Sequence, residues 1–333
     1  METRTITIEF LSPAFPGDAQ QNAAWRTPPF KAQLRQWWRV VMAARGLTLA
    51  DIRLQEGQLF GEAAGNSGRQ SRVRLRLRGP RAWKLGTLRE WVSKDSRQRM
   101  ASGSGRRMFA GDVYLGYGPL QPKGAVLSAS AAIASGESGE LRLAWPRQEP
   151  GADGIDPALG LMHRLGTVGG RSRNGWGSYA LVAGAPTVDL AAYRVDWREA
   201  IGREWVHGIG ADDRGLLLWW TPAEGSWEAL VGRLARLRAE LCSEAGPLRP
   251  LMSYPVTKRS QPGWDQAARV PNTLRFKVVR DGHGKLRAQV AHLPCRPEWR
   301  LWKELSPTQQ REFTHLWRQA HELLDEQLER VAS

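Results

Sequence analysis

The spacing of apolar residues changes along this chain, and each change predicts a different element. Ile6, Ile8 and Phe10 alternate with Thr5, Thr7 and Glu9, the two-residue period of a half-buried strand. From Pro29 to Ala44 the period lengthens. Leu34, Trp38, Val41 and Met42 form an apolar helical stripe, and Lys31, Arg35 and Arg39 recur at every fourth residue beside it, so one face suits a core and the other a phosphate backbone. Strict alternation returns at Arg72-Val73-Arg74-Leu75-Arg76-Leu77-Arg78. It predicts a strand with its guanidinium groups on one sheet face, where like charges require neighbouring carboxylates or a bound polyanion. Asp156 as N-cap, Pro157 at the first helical position and Leu159, Met162 and Leu165 on one face predict a helix that stops at Gly166. The apolar run 179–182 follows as a short strand.

In the second half, Leu216 to Trp220 reads as a short buried strand, and Ser226 caps a helix carrying Trp227, Leu230, Leu234, Leu237 and Leu241. Leu274, Phe276 and Val278 alternate with Arg275 and Lys277, Asp281-Gly282-His283-Gly284 reverses the chain, and 286–290 returns, which is a hairpin. A last helix starts at Ser306-Pro307, with Phe313, Leu316, Trp317, Ala320 and Leu324 on one stripe. Segments 16–28, 61–71, 93–107 and 134–155 are rich in Gly, Ser, Pro or polar residues and are expected to be loops. In the third, Arg97, Arg99, Arg106 and Arg107 surround Ser102-Gly103-Ser104-Gly105. A basic loop of this kind is suited to lie along an RNA strand and to order on binding.

A chain of 333 residues exceeds the size at which one core stops growing, so two domains are expected, 1–185 and 186–333, divided near Gly184-Ala185-Pro186. Net charge is +15, and the first 110 residues hold 20 Lys and Arg against 8 Asp and Glu. That asymmetry favours a polyanionic partner, since each neutralised phosphate releases counterions. Arginine outnumbers lysine 40 to 8, an excess that genomic base composition can also produce. Cys242 and Cys295 are the only cysteines, without metal-ligand spacing. They are expected to be reduced packing residues, and no metal or cofactor is expected. No apolar run approaches the ~20 residues of a membrane span, so a cytoplasmic location with no membrane partner is expected.

The stretch Gly169-Gly170-Arg171-Ser172-Arg173-Asn174-Gly175-Trp176-Gly177-Ser178 holds four glycines, two arginines and a tryptophan. Glycines let a backbone approach a ligand, guanidinium groups fork onto phosphate oxygens, and an indole offers a face for a base. Trp176, flanked by glycines, is expected to be exposed and to stack. The loop follows a helix and precedes a strand, unlike a dinucleotide fingerprint or a P-loop. This helix, GGRSRxGxGS loop and strand resemble the glycine-rich loop of the RAMP superfamily, the RNA-binding subunits of CRISPR effector complexes. Phe30-Lys31-Ala32-Gln33-Leu34-Arg35-Gln36-Trp37-Trp38-Arg39 after the first strand, followed by Gln58-Leu59-Phe60-Gly61-Glu62, resembles the opening of the first subunits of Cmr (type III-B) complexes. Residues 269–277 are similar to strands late in RAMP proteins.

The resemblance implies an α+β fold of two ferredoxin-like (RRM-like) domains with antiparallel sheets, plus a C-terminal helix. It also implies a non-catalytic subunit of a type III effector complex that holds the 3′ region of CRISPR RNA and helps capture complementary target RNA beside other RAMP subunits. The residues expected to meet RNA are Lys31, Arg35, Arg39, Arg72, Arg74, Arg106 and Arg107, together with Gly169, Gly170, Arg171, Ser172, Arg173, Asn174, Gly175, Trp176 and Gly177. The alternative is a RAMP endoribonuclease that processes CRISPR RNA with a general-base histidine. The first histidine here is His163, inside a predicted helix beside its apolar face. Asp95 or Asp112 could imitate the acidic loop residue of RAMP subunits that cut target RNA. No RNP-type aromatic strand supports a general RRM-like binder.

Overall fold

In the computed structural model, the described residues are 1–17, 23–63, 68–79, 85–86, 97–102, 105–121, 126–127, 132–254, 264 and 268–331. The first unit runs β1 (Glu2–Phe10), α1 (Thr27–Ala44), α2 (Leu49–Phe60), β2 (Arg74–Arg78), β3 (Ser138–Trp145), α3 (Ile155–Leu165) and β4 (Tyr179–Ala183). Its four strands form one antiparallel sheet in the order β4-β1-β3-β2. Ile6, Ile8 and Phe10 of β1 face Leu34, Trp37 and Trp38 of α1 and Leu159 and Met162 of α3, all within one buried cluster.

A second unit runs β5 (Leu218–Trp220), α4 (Trp227–Glu244), β6 (Leu274–Arg280), β7 (Leu286–His292), α5 (Pro307–Gln327) and β8 (Glu329–Arg330). Its antiparallel sheet has the order β6-β7-β5-β8. The two sheets therefore repeat one pattern: the first strand of each unit lies between the third and fourth, and the second lies beyond the third. Trp219, Phe276, Val278 and Val290 pack against Leu230 and Leu234 of α4 and Phe313 and Trp317 of α5. The expected caps hold here: Ser226 Oγ accepts from Ala229 N, and Ser306 and Gln309 form a reciprocal capping box.

Several local expectations are corrected. Residues 134–155 are not one loop, because Leu141, Leu143 and Trp145 alternate on β3, a central strand bonded to both β1 and β2. The basic stretch 93–107 is not an extended loop in its described part: Arg97–Ser102 and Gly105–Ala110 pair as antiparallel strands. Residues 93–96 and 103–104 lie outside the described residues. Helix α3 begins at Ile155 with Gly154 as N-cap. The side chain of Asp156 is instead held by Arg4, whose Nη2 donates to it over 2.6 Å. The run 216–220 splits between two sheets, Gly215–Leu216 pairing with Ile209–Asp212 and β5 with β7. Helix α2 was not anticipated; its signal is Thr48, whose hydroxyl accepts from Asp51 N.

Candidate nucleic-acid interface

The glycine-rich segment between α3 and β4 is a strap sewn between the two sheets. Val168 N donates to Gly177 O over 2.9 Å, Gly170 N to Phe15 O over 2.9 Å, Gly177 N to Pro13 O over 2.8 Å, and Phe276 N to Arg173 O over 3.0 Å. Ser178 Oγ accepts from Val278 N and donates to Gly175 O. Gly175 and Gly177 have φ of +92° and +61°, a region that favours glycine. A Cβ on Gly177 would stand 1.8 Å from Val168 O, and one on Gly169 2.7 Å from the Phe15 backbone. These glycines admit other parts of the same chain, which corrects the expectation that their backbone cradles a ligand.

Trp176 is corrected in the same way. It is 1% exposed, with ring centroids 4.9 Å from Phe15 and 5.0 Å from Trp227. The strap carries this large apolar ring into the second core, where its burial outweighs the freedom its glycine neighbours provide. Asn174 is held too, donating Nδ2 to Leu115 O over 2.9 Å. What remains at the surface is Arg171, half-buried Ser172 and Arg173. Arg171 takes φ +56°, and its carbonyl accepts from Asn174 N in the turn that presents all three. Neither arginine has a carboxylate partner among the described residues.

Arg173 opens onto a cleft of about 700 Å³ lined by Arg53, Arg173, Arg269 and Arg296, by Glu204 and Glu298, and by Trp205 and Tyr254, a size typical of ligand pockets. Glu204 pairs with Arg53 and with Arg296. Trp205 stacks on His207 at 4.0 Å and 17°, and the Arg39 guanidinium lies 5.9 Å from its ring centre. Tyr254 is fixed by paired backbone bonds with Val270 and an edge contact to Trp264. Behind the wall, Arg275 is 8% exposed and 6.0 Å from the Trp37 ring centre, and with the Gln36 amide turned so that its oxygen faces the guanidinium, that oxygen accepts from both terminal nitrogens. Burial first, and then Arg173, pulls its pKa down to about 9, so it stays cationic at neutral pH. Arg173 is exposed although crowding around its stem lowers its own pKa. The wall thus carries more positive than negative charge, four arginines against two glutamates, beside aromatic rings, the pairing that suits single-stranded RNA. Arg53, Trp205, Tyr254 and Arg296 were missed in the sequence; the available signal was an isolated tryptophan in the polar run Gly202-Arg203-Glu204-Trp205.

The other expected residues are scattered. Arg35 and Arg39 converge on Glu56, itself 5% exposed, at 2.8 Å and 2.7 Å, so both are held by one carboxylate within the protein. Lys31 is half-buried, and burial followed by Arg35 lowers its pKa. Arg72 pairs with Glu149. Arg74 is exposed on β2. Arg106 and Arg107 lie on the second of the paired strands, opposite Ala101 and Met100.

His163 Nδ1 accepts from Leu181 N over 3.1 Å, which puts the proton of the neutral ring on Nε2 and leaves no free lone pair. Burial first, then Lys277 and Arg164, pushes its pKa down to about 4. Asp112 is buried at the start of the short helix Gly111–Gly116, not in a loop, and burial raises its pKa to about 6. Asp95 lies outside the described residues. Among the described residues no three His, Cys, Asp or Glu side chains are grouped to hold a metal, and no helix is long and apolar enough to cross a membrane.

No family model matches the sequence, and no curated protein matches it. Solved structures do. Cmr1 from Pyrococcus furiosus in its apo form aligns with a TM-score of 0.51 at 16% identity, over 88% of this chain and 88% of that one. A chain of the type III-B Cmr-β complex bound to cognate target RNA aligns with a TM-score of 0.52 at 10% identity, over 94% of this chain and 99% of that one. The likeness is one of fold and runs the length of the molecule: this chain has the Cmr1-like α+β fold that its sequence resemblance implied.

Proposed function

We propose that the chain is a non-catalytic RNA-binding subunit of a type III CRISPR ribonucleoprotein effector complex, holding the 3′ region of the CRISPR RNA and helping to capture complementary target RNA. The observation that carries this reading is the arginine-lined cleft with its aromatic rings, set into a fold like that of Cmr1. Other RAMP subunits are its expected partners. The repeated strand order, with two helices per sheet, supports two ferredoxin-like units within 1–185 and 186–333. The occupied lone pair of His163 favours the binding role over the endoribonuclease. Mass spectrometry of the proteins and sequencing of the RNA that co-purify with the native chain tests the proposal. CRISPR repeat-derived RNA with further effector subunits is the expected result, and a chain recovered without either contradicts it. Purified protein should leave RNA intact; specific cleavage of a CRISPR repeat that His163→Ala abolishes would establish the enzyme instead.

A further inference from the structure

The face of the first sheet turned away from α1 and α3 carries charge that nothing described neutralises. Arg74, Arg76 and Arg78 are exposed along β2, while Leu75 and Leu77 between them turn toward the first core. Across the sheet, Arg76 stands opposite Arg142 of β3, Arg74 opposite Ala144 and Arg78 opposite Glu140. Glu140 is already engaged by Arg142, and no carboxylate pairs with Arg74, Arg76 or Arg78 among the described residues. Like charges directly opposite one another are destabilising.

Thr3, Thr5 and Thr7 of β1 lie opposite Ala144, Arg142 and Glu140 and so share this face. Short hydroxyls and arginines make it flat and polar. Among the described residues of β1, β2 and β3 it offers no ring for a base to stack on, and the exposed apolar side chain of this sheet, Val182, lies on the edge strand β4. Alternate residues on a strand are ~6.6 Å apart, a rise that can follow successive phosphates of a nucleic-acid strand.

We propose that this open face is a second RNA surface, separate from the cleft, that grips the sugar–phosphate backbone of paired RNA without reading its bases. The inference rests on the RNA-binding reading above and deepens it. The helices occupy the opposite face, and Arg53 of α2 lines the cleft, so the sheet stands between the two surfaces. The cleft takes unpaired nucleotides, and the arginine face takes a duplex.

The test compares the full chain with R74Q/R76Q/R78Q and with R173A/W205A, using an unstructured RNA oligonucleotide and a fully paired RNA duplex of equal length. All three arginines are exposed, so unchanged melting curves are expected to confirm the triple variant's fold. The triple variant should lose about tenfold or more in duplex affinity and 2–3 units, roughly, of the log–log salt slope, while single-strand affinity stays within about twofold. The cleft variant should show the reverse preference. Equal losses for both probes in the triple variant would mean one continuous surface and overturn the inference. Unchanged RNA binding with loss of a co-purifying protein subunit would make the face a protein contact and overturn it too. If the parent binds RNA and the triple variant behaves like it, this inference alone fails; a parent that binds neither probe defeats the RNA-binding reading itself.

Discussion

Lys277 sits where a strand that reads as amphipathic is buried on both faces. Its Nζ donates to Met162 O over 3.2 Å, His163 O over 2.6 Å and Gly166 O over 2.9 Å, closing the carbonyl end of α3 from the other unit, while burial first, and then Arg164, holds its pKa well below the usual lysine value. The Tyr179 ring lies 4.9 Å away. Lys277→Met should cost about 2–4 kcal/mol in urea unfolding, because three carbonyls lose their donor in a buried site; a loss within ~0.5 kcal/mol would show that they find other partners. The histidines give a pH dependence of known sign. Burial pushes His163 down to about 4 and His321 to about 3, and lowers His292, which is bonded to His321 over 2.9 Å. The unfolded chain takes up these protons near pH ~6.5, so stability is full above that and declines as pH falls toward ~4. Melting temperatures should drop across this window. His163→Asn, which keeps an acceptor for Leu181 N, should flatten part of the drop, and a flat profile in the parent would contradict the burial. The alternation at Arg275 and Lys277 was legible, but which layer would cover their side of the sheet was not, because that layer comes from residues more than a hundred positions earlier.

The strap between α3 and β4 is the element whose identity was legible and whose use was not. Helix, glycine loop and strand all stand where the sequence put them. Whether the glycines admit a ligand or the protein itself is decided by Phe15, Val168 and Val278, none of which a local motif reveals. Gly177→Ala would force a Cβ against the Val168 carbonyl at a positive φ. It should destabilise by about 2 kcal/mol or more, read as a lowered melting temperature. Gly175→Val combines a positive φ with contact to Leu234 and should also lower stability. A Gly177→Ala chain as stable as the parent would mean that the strap is not clamped. Strand β3 escaped notice for a related reason: Gly136-Glu137-Ser138-Gly139 resembles a loop, and the three apolar residues after it form too short a pattern to outweigh that until β1 and β2 flank them.

Across the whole molecule, two sheets of identical strand order carry basic surfaces on either side of the first. The basic excess was legible from composition, but its distribution was not. Arg35 and Arg39 share the carboxylate of Glu56, whereas Arg53, Arg269 and Arg296 are gathered with Arg173 by segments far apart in sequence. Overall charge alone would let any two exposed arginines serve equally. The most direct test replaces Arg171 and Arg173 by alanine and, as a control, Arg233 and Arg236 on α4, where Arg233 is paired with Glu224. Both double variants lose two positive charges, and both should melt like the parent. In fluorescence titrations with a single-stranded RNA, the strap variant should lose about tenfold or more in affinity while the control stays within about twofold, because placed guanidinium groups contribute contacts that the diffuse field does not. Equal losses in the two variants would contradict the assignment of the cleft as the RNA site.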